Sequence, residues 1–328
     1  MIRLVIDTMG SDKGSPAAVE GIQRFLKDHE DVEIYAVGRK EELVALESLP
    51  QVKIIDARDV VPMEAGALDV MRMKNSSMMV GLQYMKDQHL DGIVSCGSTG
   101  GFLSAATIKL RLMEGVERAA LVSPFPTKIK GKKVTILDMG ASNENTPSQL
   151  VQFAHMGKVY AESVFGIEQP KVYMLSNGAE DEKGAPEVKE AHKMLREQNF
   201  PGFCGNIEAR YALDGEADVI VTGGFAGNIF LKATEGVAKM MSGMMKKAFK
   251  RNFFSKLGYL LCKKGIDEMA ETMNYKNTGG AMLLGVNGVV VKGHGSNDGY
   301  SFSCAIDVAY RMAKSDMVNK LRQGLQHE

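Results

Sequence analysis

Residues 217–235 read ADVIVTGGFAGNIFLKATE, in which a β-branched apolar run enters a loop with three glycines and a helical pattern leaves it. Glycine lets the backbone adopt positive φ angles and approach a ligand closely. Amides at the start of the following helix carry the positive end of its dipole, which suits an oxyanion. One such turn is weak support for a site, because many glycine turns only reverse the chain. The same order recurs along this chain, and the recurrence predicts several loops that converge on one anion site.

Strand-like runs rich in Val, Ile and Leu alternate with helical patterns along the whole chain. Nearly continuous apolar strands are typical of a sheet that is covered on both faces. The alternation predicts one domain over residues 1–328, a three-layer α/β/α sandwich with a largely parallel sheet. The predicted strands are 3–7, 33–37, 52–56, 92–95, 119–122, 134–138, 171–175, 203–207, 219–222, 281–284 and 289–292, and the clearest helical patterns are 17–28, 71–88, 101–113, 149–163, 187–197 and 301–323.

The loops that follow these strands share glycines, hydroxyls, amides and a few charges, the groups that an anion-binding floor requires. In an open α/β sheet, ligands bind at the carboxyl ends of the strands. We therefore expect these loops to meet at one edge of the sheet. They are residues 7–12, 96–101, 138–143, 176–184, 205–210, 223–228, 279–281 and 293–298.

The composition excludes several classes of function. Forty Lys and Arg balance forty Asp and Glu, so no global charge attracts nucleic acid. Four cysteines without metal-site spacing favour a reducing compartment. Neither a signal-peptide pattern nor an apolar run long enough to span a bilayer is present. Residues 293–299 fit GxGxxxG, but only one helix follows, so a dinucleotide site is not expected. We predict a cytoplasmic protein without a metal or cofactor.

One segment interrupts the alternation of strands and helices. Residues 236–266 contain eight Lys and Arg but no Asp or Glu, and apolar residues recur there at helical spacing. We predict a protruding helical segment over about 236–275 that contacts anionic lipid at a membrane surface. The alternative is a helix pair that packs on the sheet or on a second subunit, but packing alone does not explain the missing carboxylates. The predicted membrane contacts are Lys250, Arg251, Phe253, Phe254, Leu257, Leu260 and Leu261.

Short motifs follow one another along the chain: DTMGSD (7–12), KNSSM (74–78), GSTG (97–100), DMGA (138–141), LVQFAHMG (150–157), EDEKG (180–184), GNIEAR (205–210), GFAGN (224–228) and HGSND (294–298). Together they resemble, essentially end to end, the PlsX family of bacterial phosphate acyltransferases. The resemblance implies a homodimer with a fold similar to phosphotransacetylases and to the isocitrate/isopropylmalate dehydrogenases. It also implies that inorganic phosphate attacks the thioester of acyl-ACP, which gives free ACP and an acyl phosphate for phospholipid synthesis.

The family's product would pass to an integral membrane glycerol-3-phosphate acyltransferase. This gives a basic, apolar helix a reason to touch the inner face of the cell membrane. The chain departs from the family in two loops: Gly223 and Ala226 stand where the family usually has Asp and Thr, and Ser98 stands where it has Asn. Two alternatives therefore stay open: a phosphotransacetylase-like enzyme that uses acyl-CoA, and a non-catalytic scaffold that binds acyl-ACP or lipid.

A thioester is already activated, so acyl transfer to phosphate needs no covalent Ser or Cys. It needs positioning of the two reactants and donors for the oxyanion. We predict a phosphate site built from loop amides, hydroxyls and one cation, with three catalytic groups beside it. The phosphate-binding residues are Gly97, Ser98, Thr99, Gly100, Arg210, Gly224 and Gly227, and the catalytic residues are Lys183, Asn228 and His294.

For three of these residues a structural role is the alternative. Lys183 and Arg210 could balance phosphate charge, with Arg210 doing so through two hydrogen bonds, or could form surface ion pairs with Asp181 and Glu208. His294 could donate to the oxyanion or protonate the departing thiolate, or could instead cap the helix that begins near Ser301.

Overall fold

The computed structural model describes residues 1–272 and 279–326. The strands are β1 (Ile2–Asp7), β2 (Val32–Gly38), β3 (Val52–Asp56), β4 (Gly92–Ser95), β5 (Ala120–Pro126), β6 (Lys133–Leu137), β7 (Val172–Ser176), β8 (Phe203–Glu208), β9 (Val219–Val221), β10 (Ala281–Leu284) and β11 (Val289–Lys292). The helices are α1 (Ser15–Phe25), α2 (Ala67–Arg72), α3 (Ser77–Asp87), α4 (Thr99–Leu110), α5 (Pro147–Phe165), α6 (Pro186–Glu197), α7 (Gly224–Lys250), α8 (Phe253–Thr272), α9 (Gly299–Lys314) and α10 (Met317–Gln326). Each predicted strand is therefore present.

The described strands form one sheet in the order β3-β2-β1-β4-β11-β10-β5-β6-β9-β7-β8. Neighbouring strands are parallel except at the three consecutive pairs β11/β10, β10/β5 and β5/β6. Helices cover both faces, and a separate apolar cluster fills each side of the sheet. The predicted three-layer sandwich with a largely parallel sheet is confirmed.

The long strand β5 joins two halves of this sheet. We call β3, β2, β1, β4 and β11 the first half, and β6, β9, β7 and β8 the second half. Ala120 to Val122 of β5 pair with β10, whereas Ser123 to Pro126 pair with β6. Because three antiparallel pairs separate the halves, their strands run in opposite directions.

The carboxyl ends of both halves nevertheless lie at the same level. Lys292, the last residue of β11, pairs with Ala281 of β10. Extending the β10/β5 register by one residue places Ala281 opposite Ser123, and Ser123 pairs with Ile136, next to the end of β6. The loops after β1, β4 and β11 therefore face the loops after β6 and β9. The expectation that all loops meet at one sheet edge is wrong: two opposed sets of loops border a gap between the halves.

Two predicted helices are each split in the structure. The pattern over 71–88 spans the end of α2 and all of α3, because Ser76 begins a new helix by accepting a hydrogen bond from the amide of Met79 at 3.4 Å. The pattern over 301–323 contains α9 and α10, because Asp316 has a φ of 57° between them. A left-handed residue interrupts a helix even where the apolar spacing continues.

The predicted protruding helical segment is α7 with α8. Among the residues of the pair whose burial is described, only Gly224 and Gly227, at the start of α7, are buried; Phe230 and Leu231 of the next turn pack against the core, and the residues beyond them are largely exposed. Phe253, Phe254 and Leu261 are 74%, 79% and 82% exposed. Residues 273–275 of the predicted segment lie outside the described residues. No helix in the described part of the chain is long and apolar enough to cross a membrane.

Candidate functional site

A buried carboxylate organises the loop between β6 and α5. Asp138 is fully buried and accepts five hydrogen bonds of 2.6 to 3.0 Å. The donors are the amides of Leu121, Gly140, Ala141 and Ser142 and the hydroxyl of Ser142. Since a buried carboxylate needs such donors to offset its lost hydration, this loop has one preferred shape. The sequence predicts that Asp138, at the end of its strand, orders the loop that follows, and these hydrogen bonds confirm that role.

The first turn of α7 packs directly on that loop. A Cβ atom on Gly224 would lie 2.2 Å from the carbonyl oxygen of Ser142, and one on Gly227 would lie 1.9 Å from that of Asp138. These two glycines therefore permit a close approach of backbone to backbone. The exposed Asn228 follows them, with its side chain against Gly140. Of the predicted residues in this turn, Asn228 is exposed, whereas the two glycines are used for packing.

Gly223, where the family resemblance predicts Asp, changes how the start of α7 is capped. Gly223 is the N-cap of α7 and has no side chain to accept a hydrogen bond there. The amide of Gly224 instead donates to the side-chain oxygen of Asn145 at 3.0 Å. Aspartate is among the best N-cap residues, so an Asp at 223 would cap this helix from within. Here Asn145, from the neighbouring loop, supplies the acceptor.

The loop between β4 and α4 is held by its own side chains. The Ser98 hydroxyl accepts from the amide of Gly101 at 3.3 Å and lies 3.0 Å from the carbonyl of Ala65, to which it donates. The amide of Gly97 donates to the Ser95 hydroxyl at 3.2 Å. The predicted donors at Gly97 and Ser98 are thus engaged within the protein.

Thr99 and Gly100 are different, because they are exposed and are the first two residues of α4. Amides at these positions of a helix have no intrahelical acceptor. A Cβ on Gly100 would have nothing within 4 Å. This turn therefore has room beside it and offers outward amides at the positive end of a helix dipole.

A buried polar row lies under this loop. Asp7, at the end of β1, accepts from the hydroxyls of Ser77 and Ser95, each at 2.6 Å. Burial raises the pKa of Asp7, and these two hydrogen bonds oppose the rise. The close contact of Gly10 with Gly97 brings the β1 loop against the β4 loop. The loops after β1 and β4 of the first half therefore form one continuous surface, which we call the floor of the gap.

The loop after β11 completes this floor. Its residue Gly295 accepts from the amide of Asp12 at 2.9 Å. His294 is exposed, and its Nδ1 lies 2.9 Å from the hydroxyl of Ser296. The cap of α9 is Asp298, which accepts from Ser301, so His294 is not the helix cap that was its structural alternative.

Charged groups from both halves of the molecule affect the pKa of His294. Partial burial of the imidazole ring lowers the pKa of His294, the Glu235 carboxylate raises it, and the ammonium groups of Lys292 and Lys232 lower it further. Glu235 and Lys232 belong to α7, and the His294 loop follows β11, which ends at the same level as β6. The histidine loop of the first half therefore borders the same gap as the strand ends of the second half.

Lys183 and Arg210 lie farther out, in the loops after β7 and β8, at the end of the strand order. Arg210 is exposed and pairs with Glu208 through contacts of 2.7 to 3.0 Å, as its structural alternative proposed. Lys183 is exposed, with its aliphatic stem beside Gly178. Neither is in the floor formed by the first half.

Two groups in the floor were not predicted as functional. Lys292 is only 6% exposed at the end of β11. Cys96 is buried beside it and lies 3.5 Å from the side-chain nitrogen of Asn297. Burial raises the pKa of Cys96 to about 12, so this thiol is protonated at neutral pH and is a poor nucleophile. The sequence did contain a signal for a functional Lys292, because this lysine directly follows three valines in a central strand.

Comparisons with known proteins bear on what this arrangement does. The family described as "Fatty acid synthesis protein" matches residues 2–320. The phosphate acyltransferase of Exiguobacterium sibiricum is 40% identical over 97% of each chain. This chain belongs to the phosphate acyltransferase family. The family's proteins from Clostridium botulinum and Mycoplasma capricolum are 39% and 36% identical, over 98% or more of each chain. The resemblance to the PlsX family is confirmed.

Two solved structures share the fold of this chain. A phosphotransacetylase from Staphylococcus aureus superposes with a TM-score of 0.56 and 16% identity, over 95% of this chain and 94% of that one. A branched-chain phosphotransacylase from Enterococcus faecalis gives a TM-score of 0.56 and 13% identity, over 95% and 99%. At such identities the likeness concerns the fold alone. It supports the predicted similarity to phosphotransacetylases.

Proposed function

We propose that this protein transfers a fatty acyl group from acyl-ACP to inorganic phosphate and releases acyl phosphate for phospholipid synthesis. One observation carries the proposal: the start of α4 and the His294 loop follow strands of the first half, α7 follows β9 of the second half, and the carboxyl ends of the two halves lie at the same level. Helix starts with outward amides favour anions. In a member of the phosphate acyltransferase family, that anion is phosphate.

The reaction requires one bond to form, one to break and one proton to move. A phosphate oxygen attacks the thioester carbon, the carbon–sulfur bond breaks, and the proton that phosphate loses ends on the departing sulfur. Because burial lowers the pKa of His294, its imidazole is neutral at pH 7 and can accept that proton and deliver it. The outward amides of Thr99 and Gly100 and the side chain of Asn228 would hold the phosphate or the oxyanion.

Acyl-ACP is the proposed donor because of the charge on the helical pair. Eight Lys and Arg and no acidic residue occur over residues 236–266, and ACP is acidic. A basic rim beside the gap would attract such a carrier and speed its association. Acyl-CoA is the alternative donor. One observation supports the scaffold alternative. The Gly224 amide, a predicted phosphate donor, donates its hydrogen bond to Asn145 instead.

We expect purified protein, acyl-ACP and phosphate to yield acyl phosphate, which hydroxylamine traps as a hydroxamate. Omission of phosphate is the control for direct aminolysis of the thioester. Equal turnover of acyl-CoA and acyl-ACP would favour the phosphotransacetylase-like alternative. No hydroxamate above the control with either donor, at high enzyme concentration, would contradict the proposed function and favour the scaffold.

We further propose that the pair α7/α8 touches the inner face of the membrane and that the protein is a homodimer. The predicted contact residues at the start of α8 are largely exposed, Leu260 and Leu257 at 65% and 47%. Large exposed apolar patches mark membrane or protein interfaces, and Lys250 and Arg251 stand beside this one. The acyl phosphate would then be released near an integral membrane glycerol-3-phosphate acyltransferase.

Replacing both Phe253 and Leu257 with Glu is expected to release the protein from vesicles that contain anionic lipid. Each change puts a carboxylate where an apolar group would enter the interface and repels the lipid charge. Co-sedimentation with phosphatidylglycerol vesicles measures this. Ile108→Glu is the matched control, because Ile108 is also helical and is 56% exposed away from the pair.

Light scattering on the same double variant separates the two roles of the helical pair. Unchanged co-sedimentation together with conversion from dimer to monomer would contradict membrane contact by these residues and assign them to the subunit interface. Loss of co-sedimentation from an intact dimer would support the membrane role.

A further inference from the structure

The ammonium of Lys292 is buried, and the described part of the protein offers it few hydrogen-bond acceptors and no close carboxylate. Lys292 is 6% exposed, and its Nζ donates to the carbonyl of Gly293. In the described part of the chain, no carboxylate oxygen lies within 4.0 Å of this nitrogen. An ammonium has three protons to donate, and a buried charge without a partner is unfavourable. The position thus favours binding of an anion.

The position of Lys292 is set by the sheet. Its neighbour on β4 is Ser95, whose hydroxyl donates to Asp7 on β1. Asp7, Ser95 and Lys292 therefore form a row across the carboxyl ends of three adjacent strands. Two strand spacings, about 9–10 Å, separate the backbones of Asp7 and Lys292. The serine hydroxyls hold the carboxylate, and the ammonium stands at the side of the row nearer to β10 and β5.

Charges from both halves of the molecule act on Lys292. Burial lowers the pKa of Lys292; Cys96, Asp7 and Asp12 raise it, and Lys232 lowers it. Lys232 belongs to α7, and Lys292 ends β11 at the level where β6 ends, beside the gap between the halves. Like charges near one gap repel each other, and an anion bound between them reduces that repulsion.

We propose that Lys292 binds the attacking phosphate from the floor of this gap and neutralises part of its charge during acyl transfer. The proposal rests on the proposed function. The outward amides of Thr99 and Gly100 lie in the next loop of the same floor. Arg210 is a weaker candidate for this charge, because it is exposed and already paired with Glu208.

The test is Lys292→Met, which keeps an unbranched side chain of nearly the same length and removes the charge. We expect the KM for phosphate to rise about 10- to 100-fold, the loss expected for a hydrogen bond to a charged group, and the KM for acyl-ACP to stay the same. Lys133→Met is the matched control, because Lys133 is a partly buried lysine whose pKa is also lowered by burial, and it lies at the opposite end of β6 from the gap. An unchanged KM for phosphate in Lys292→Met would overturn the proposal.

A binding measurement separates this proposal from the proposed function. Titration calorimetry with inorganic phosphate needs no turnover, and we expect the affinity to fall about 10- to 100-fold in Lys292→Met. Equal affinity for the variant and the wild type would overturn the role of Lys292 whether or not the wild type forms acyl phosphate. Binding lost in the variant, with no acyl phosphate from the wild type, would keep the phosphate site and reject the transfer reaction.

Chemical rescue distinguishes a charge from a packing role. In Lys292→Ala, added propylammonium is expected to restore phosphate binding, because it supplies the missing cation in the space that the side chain leaves. Propanol is the control of similar size without charge. Rescue by propanol to the same degree would show that the side chain acts by filling space and would overturn the proposal.

Discussion

Replacing Gly227 with alanine is expected to destabilise the protein by about 1–3 kcal/mol or more and to abolish acyl phosphate formation. The new Cβ would lie 1.9 Å from the carbonyl oxygen and 3.0 Å from the carbonyl carbon of Asp138. These are backbone atoms of a loop fixed by five hydrogen bonds, so they cannot move aside without breaking some of them. The start of α7 would be pushed away from the loop, and Asn228 would move with it. Urea unfolding and the hydroxamate assay measure the two effects.

Gly100→Ala is the steric control for the stability measurement. Gly100 also lies in the first turn of a helix at the gap, yet a Cβ there meets nothing within 4 Å. We expect this variant to be as stable as the wild type or slightly more stable, since alanine favours helix. A wild-type unfolding midpoint for Gly227→Ala would contradict the close packing of α7 on the β6 loop.

The strands were predictable because their signal is local. Runs such as Val219–Val221 and Val289–Val291 are continuous and apolar, and glycine-rich loops flank the strands that contain them. The direction of the second half was not predictable in the same way. It depends on how β5 divides its pairing between β10 and β6, and register is decided by long-range packing rather than by the residues of the strand alone.

The candidate site was predicted in part, for a related reason. Sequence shows which groups a loop contains but not which of them are already bonded. The amides of Gly97 and Gly224 were predicted as phosphate donors, yet they donate to Ser95 and Asn145. Lys292 was missed because a strand residue is expected to pack rather than to bind, and only the sheet order shows that it ends beside the gap.

The structure also explains how the departures of this chain from its family are compatible with an ordered site. An N-cap aspartate at position 223 would place a carboxylate at the start of α7, where it would compete with phosphate for the helix dipole. In this chain the cap comes from the neutral Asn145. The gap then contains one negative charge fewer, and the cations Lys232 and Lys292 act on it with less opposition.

Asp138→Ala is expected to cost about 3–5 kcal/mol of stability, because it leaves several buried donors without an acceptor, each costing about 1–3 kcal/mol before the loop relaxes. The affected amides belong to Leu121 on β5 and to the loop that packs on α7. The change therefore loosens the junction between the two halves.

Acyl transfer in Asp138→Ala should fall together with stability, since the groups on α7 and on the His294 loop would no longer be held facing each other. Asp138→Asn should be intermediate, because it keeps one acceptor oxygen and places an NH₂ group against other donors. Guanidinium unfolding gives the free energies, and Asp87→Ala is the control, because Asp87 is exposed and accepts one hydrogen bond, from Gln83. If Asp138→Ala unfolds at the same denaturant concentration as Asp87→Ala, then Asp138 does not hold the junction, and the geometry of the gap must be fixed elsewhere.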